Sequence, residues 1–168
     1  MQQIKRISII ILLLLLCIGS DQFSKKIVRN KIEPSEKIIL VDDVLTLTRV
    51  ENTGAFLSLG HDMSQPWRTI VLTLAPSILI VIAVVVLLTG RQLSWSVVIG
   101  LCFVVGGGLG NIYDRIAYGS VTDFIHIDFG LFETGIFNFA DMAVMSGVGL
   151  LLLGNHKKSH DVGNVKSS

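Results

Sequence analysis

Four apolar stretches, at about residues 7–28, 67–89, 93–113 and 136–153, most constrain what this chain can become. About 20 apolar residues in a helix cross the roughly 30 Å of hydrocarbon in a bilayer. Lipid offers no partner to open backbone N–H and C=O groups, so such stretches span as helices. The expected fold is therefore all-α and integral to a membrane, with four transmembrane helices in a single domain over residues 1–168. Composition agrees: 51% of residues are hydrophobic and 16% charged, against about a quarter charged in soluble domains. A net charge of +1, scattered among loops, gives no reason to expect nucleic acid as a partner.

The first stretch imitates a secretory signal, because Lys5-Arg6 precede a long apolar run closed by Cys17. Leu16 stands where a cleavage site wants a small residue, and the apolar pattern resumes at Ile27-Val28. A retained first helix is the better reading. Asp21 and Lys25 lie near its outer end at i and i+4, where they can pair; a plain interfacial ion pair is as good a reading as a functional one. Cys17 and Cys102 sit inside apolar runs without metal-ligand spacing, so both read as packing residues.

Residues 30–66 change character. Ile38 to Val50 is β-rich, and Gly54, Gly60 and Pro66 supply turns around it. A segment this short needs the helices or the membrane surface beside it, so a small extramembrane β element is expected. His61 reads as an exposed loop residue. Trp67 opens the second span as an interfacial aromatic, and Pro76 is a candidate kink. VTDFIHIDFG, from Val121 to Gly130, is a second strand-like piece. Lys5-Arg6, Arg91 and Lys157-Lys158 fall on one side of four spans. That places both termini and the tail, 155–168, in the cytoplasm, with the two longer loops outside.

Two carboxylates stand out at those outer loops. Asp123 lies in the strand-like piece, and Asp141 opens an apolar helix with no Lys, Arg, Asp or Glu until Lys157. An ionisable group at such a place is costly unless it faces protein or water and has a role. Two carboxyls sharing a site cannot both ionise easily, so one holds a proton while the other draws one from water. That is aspartic-protease chemistry. An ion or proton relay is a rival role, as is simple capping by Asp141 near a helix N-terminus; a non-catalytic lipid-binding protein is a third. Asn111, Asp114 and Arg115 gather at the end of the third span, with Gly107 and Gly110 before them to permit close approach. Asp114 with Arg115 can also be only an interfacial salt bridge. Asn138 stands three residues before Asp141, and Asn52 lies in the turn-rich NTGAF. GGGLG sits within an apolar helix and lacks the context of a phosphate loop. Two carboxylates without His or Cys make a poor zinc site, so neither metal nor cofactor is expected.

GNIYDR (Gly110 to Arg115), VTDF (Val121 to Phe124) and FNFAD (Phe137 to Asp141) resemble the signature blocks of lipoprotein signal peptidase, also called signal peptidase II. DQFSK (Asp21 to Lys25) and NTGAF (Asn52 to Phe56) resemble two further blocks, in the family's order. The resemblance implies a membrane-embedded aspartic endopeptidase of bacterial inner membranes, with four transmembrane helices, a small extracytoplasmic β-cradle and its site at the outer face. Its substrate would be a diacylglyceryl-modified prolipoprotein, cut on the N-terminal side of the lipidated Cys, and globomycin its inhibitor class. By motif position Asp123 and Asp141 would be catalytic. Asn52, Gly54, Gly107, Asn111, Asp114, Arg115, Asn138 and Ala140 would surround them, with Asp21 and Lys25 in the first-helix block. The NTGAF turn departs from the family pattern, being one residue shorter before Phe56, although Asn52 and Gly54 match. Nothing in the sequence demands more than a monomer.

Overall fold

A computed structural model describes residues 2–42, 44–54 and 63–164, with side chains described between residues 3 and 153. Ala55, Phe56, Ser58 and His61 lie outside the described residues. Helix α1 runs Gln2–Lys31, α2 Gln65–Thr89, α3 Trp95–Tyr118 and α4 Phe139–Asn164. The first three are long and apolar enough to cross a membrane, and the apolar part of α4, Phe139–Leu153, is shorter. Each helix outruns its apolar stretch, because polar residues at the ends continue the hydrogen-bond ladder once it has started.

The helix α3 is the hub, packed against α1, α2 and α4. Ile10, Ile80, Leu87, Val98, Cys102, Val105 and Ile112 form the buried cluster between α1, α2 and α3. Side chains pointing away from it, such as Leu12, Leu15, Leu16, Leu79 and Val81, are exposed and apolar, as expected where lipid is the solvent. Small residues let the backbones meet, the usual device where lipid removes the hydrophobic drive between helices. A Cβ on Gly147 would lie 2.6 Å from the Gly100 carbonyl oxygen, and one on Gly106 would lie 2.6 Å from the Cys17 Cβ. Pro76 does not simply kink α2. Its missing N–H and its ring disturb the turn before it, and residues Ile70–Leu74 widen into a π turn, with Ala75 N–H donating to the Ile70 carbonyl.

Three antiparallel strands lie in the order β1 (Lys37–Val41), β2 (Leu45–Asn52) and β3 (Val121–Ile127). The β element is thus not confined to residues 30–66: its third strand comes from the loop after α3. Gly119, at φ 76°, ends α3 in the left-handed conformation that only glycine adopts cheaply, turning the chain back into β3. Between Leu47↔Ile125 and Val50↔Asp123, β2 carries one residue more than β3. This bulge bends the sheet beside Asp123, as bulges next to functional sites do. Val28 of α1 and Ile32, just beyond its end, pack with Phe124 and Ile125, fixing β3 over the helix ends.

Candidate active site

Asp123 and Asp141 come together because the segment before α4 pairs with β3. The Phe137 carbonyl accepts from Phe124 N–H at 3.0 Å and Ile125 N–H at 2.8 Å, and Phe137 N–H donates back to the Ile125 carbonyl at 2.9 Å. Asn138, the next residue, therefore faces Asp123. Its side-chain amide donates to Asp123 Oδ1 at 2.6 Å, and the Asn52 amide donates to Oδ2 at 2.8 Å. Val50 is the register partner of Asp123, so Asn52, two residues on, occupies the same face of the sheet.

Asn138 also caps α4. Its side-chain oxygen accepts from Asp141 N–H at 3.0 Å, while Asp141 Oδ2 accepts from Asn138 N–H at 3.2 Å. This reciprocal capping box satisfies helix N–H groups that would otherwise be orphaned. It also holds Asp141 at the positive end of the helix dipole, where a negative charge is favoured. Asn111 completes the set by donating to Asp141 Oδ1 at 2.8 Å. Each of the four carboxyl oxygens thus accepts one amide N–H, and Asn138 serves both acids. Asp141 is both a capping carboxylate and one half of a carboxyl pair.

The two acids are not equivalent. Asp123 is 3% exposed, whereas Asp141 is only partly buried. Burial pushes the Asp123 carboxyl up to about 6 and the nearby negative charge of Asp141 adds to the rise, against the lowering effect of the Asn52 and Asn138 amides. Of the two, Asp123 is thus the acid whose protonated form burial favours.

Behind the pair lies a fully buried ion network. Lys25 Nζ sits 2.9 Å from Asp21 Oδ2, 3.0 Å from Asp114 Oδ2 and 2.9 Å from Asn111 Oδ1. Asp21, Lys25 and Asp114 are all wholly inaccessible, which excludes an ordinary interfacial pair between Asp21 and Lys25. Nor does Asp114 pair with Arg115; its cationic partners are Lys25 and Arg29, the latter at 2.8 Å. Adjacent residues on a helix point about 100° apart and do not face one another. Arg115 instead donates to the Gly54 carbonyl at 2.8 Å, tying the β2 turn to α3, and Gly54 N–H in turn donates to Asn52 Oδ1 at 2.9 Å. Ala140 is completely buried and its N–H donates to Asp21 Oδ1 at 3.0 Å. Gly107 lies directly under the Ala140 carbonyl, where there is no room for a Cβ.

The candidates thus fall into two groups. Asn52, Asn111 and Asn138 touch the carboxyls. Gly54, Gly107, Asp114, Arg115, Ala140, Asp21 and Lys25 hold those residues or their backbones without reaching the pair. Sequence reasoning missed Gln22, whose amide lies between Asp21, Asp114 and the Gly110 carbonyl, and Arg29, which also donates to Thr122 Oγ1 at 2.8 Å and lies 4.0 Å over the Tyr118 ring. The signal for Arg29 was present: Asp21, Lys25 and Arg29 recur every four residues along one helical face.

The described signal peptidase II family, written "Signal peptidase (SPase) II", has a sequence model that matches residues 13–156 of this chain. Among curated proteins, the lipoprotein signal peptidase of Brevibacillus brevis is 40% identical over 136 residues, covering 81% of this chain and 87% of that protein. That of Pseudomonas fluorescens strain Pf0-1 is 38% identical, covering 83% and 82%. The Streptococcus pneumoniae protein of the same name is 33% identical, covering 89% and 93%. A solved bacterial membrane enzyme superposes with a TM-score of 0.83 at 23% identity over 92% of each chain, a likeness of fold.

Proposed function

The chain belongs to the signal peptidase II family, and from that premise we propose a membrane-embedded aspartic endopeptidase acting on diacylglyceryl-modified prolipoproteins. It cuts N-terminal to the lipidated Cys. The observation that carries this reading is the pair of carboxyls, one buried and one at a helix N-terminus, with every oxygen held by an amide N–H. Asp141, ionised, takes a proton from a water as that water attacks the scissile carbonyl carbon. Asp123, protonated, gives its proton to the carbonyl oxygen, and a gem-diol forms. Asp141 then passes its proton to the departing nitrogen while Asp123 recovers one from the diol. The C–N bond breaks, leaving a carboxyl on the signal peptide and an amine on the lipidated Cys, and both acids return to their starting states.

The whole chain acts as one domain of four spans in the bacterial inner membrane, with α4 as the fourth. Lys5-Arg6 and Arg91 mark the cytoplasmic side, and the carboxyl pair opens to the periplasmic or extracellular face. The substrate is lipid-anchored, so the enzyme meets it within the membrane plane as a monomer; globomycin-type inhibitors compete for the same site. Asn52 and Gly54, braced by Arg115, form the rim of the site. The test is mass spectrometry of the products from a defined diacylglyceryl prolipoprotein cleaved in ¹⁸O-water. The reading requires a free amine on the lipidated Cys and the label on the new carboxyl of the signal peptide. A cut elsewhere, or a covalent peptidyl-enzyme trapped by added amine nucleophiles, overturns it.

A further inference from the structure

At the end of the bundle opposite the carboxyl pair, α1, α2 and α3 enclose a cavity of about 610 Å³. We propose that this cavity binds the phosphate group of an anionic phospholipid from the leaflet facing away from the carboxyl pair. Three cations, Lys5, Arg6 and Arg91, line it, and none of its lining residues is acidic. The rest of the wall is mainly apolar, including Ile7, Ile9 and Leu88, which are themselves 41%, 39% and 60% exposed on the outer surface of the helices. The cavity is therefore charged within and continuous with a surface that lipid tails cover. An acidic protein segment would leave those exposed apolar walls unmatched, whereas a phospholipid matches both halves.

The cations are not consumed by the protein. Arg6 Nη2 donates to the Gly90 carbonyl at 2.6 Å and to the Leu87 carbonyl at 3.3 Å, capping the end of α2, but its Nε is buried without a partner. Lys5 and Arg91 are exposed and carry no ion pair among the described residues. The N-terminus of α3 opens at the same place, since Trp95, its first residue, lines the cavity; Ser94 Oγ accepts from Val97 N–H there, and the positive end of the helix dipole favours an anion. Trp95 is also half exposed, as befits an aromatic at headgroup depth. Basic pockets between transmembrane helices are established sites for anionic headgroups.

The test is native mass spectrometry of the purified full chain in detergent with equimolar phosphatidylglycerol and phosphatidylcholine. Three proteins are compared: wild type, Lys5→Gln/Arg91→Gln, and a charge-matched control at the other end of α1, Lys26→Gln/Lys31→Gln. All the altered residues are exposed, and circular dichroism verifies folding. Wild type and control are expected to retain phosphatidylglycerol preferentially. The cavity variant should lose roughly 25-fold of that preference, about fivefold for each cation removed. Equal retention of both lipids by wild type, or a preference that survives in the cavity variant, overturns the proposal. So does displacement of the lipid by excess inorganic phosphate, which would make free phosphate the ligand.

Discussion

Replacing Lys25 with Met separates a stability role from a catalytic one. The ammonium has three neighbours at 2.9–3.0 Å, the buried Asp21 and Asp114 and the half-buried Asn111. Without it Asp114 keeps Arg29 at 2.8 Å, but Asp21 is left with neutral donors only, Ala140 N–H and the Gln22 amide, both at 3.0 Å. Orphaning one member of a buried pair costs about 3–5 kcal/mol, and the two remaining donors place the loss toward the lower figure. Asp21→Asn removes the orphaned charge, so the double variant Lys25→Met/Asp21→Asn should recover about 1–3 kcal/mol relative to additivity. Reversible unfolding in mixed detergent micelles measures all three variants. A loss below about 1 kcal/mol for Lys25→Met, or strict additivity in the double variant, would refute the argument that Lys25 is the cation that neutralises Asp21.

Two further predictions concern the carboxyl pair and its support. Because burial and then Asp141 raise Asp123 to about 6, kcat/KM should fall as pH rises through that value and the acid proton is lost. Asp141→Asn should lower the Asp123 midpoint by removing the repulsion, whereas Asn52→Ala should raise it by removing a donor to the charged form; infrared carboxyl titration reads both shifts. The linkage has a definite sign: the folded state holds this proton more tightly, so this group's contribution to stability declines between about pH 4 and pH 6. Gly107→Ala drives a methyl against the Ala140 carbonyl, which is backbone and cannot swing aside. It should cost about 1–3 kcal/mol and displace Asp141, lowering kcat in a turnover assay; Gly149→Ala, which meets nothing within 4 Å, should change neither.

Much of this architecture is legible in the chain because it is local. Apolar runs announce the helices, the β-rich stretch Ile38 to Val50 announces β1 and β2, and Asp141 at the mouth of an apolar run announces a capping carboxylate. What could not be read is non-local. Strand β3 looks like an isolated piece until Asp123 is found opposite Val50 and Ile125 opposite Phe137, and that second pairing is what brings the two acids together. The Asp21–Lys25 pair follows from helical spacing, but its depth depends on Asp114 arriving from another helix. Proximity in sequence misleads in the case of Asp114 and Arg115, which point to different parts of the structure. The cavity with its three cations is likewise invisible, since Lys5-Arg6 and Arg91 are some 85 residues apart and meet only because α1 and α2 both pack on α3.

The most direct measurement is cleavage of a diacylglyceryl-modified prolipoprotein by purified wild type, Asp123→Asn and Asp141→Asn, each verified as folded. Cleavage by wild type and none by either variant is the predicted result, because neither acid can do the other's proton transfer. Normal turnover by either variant would contradict it, and the carboxyl pair would then be structural.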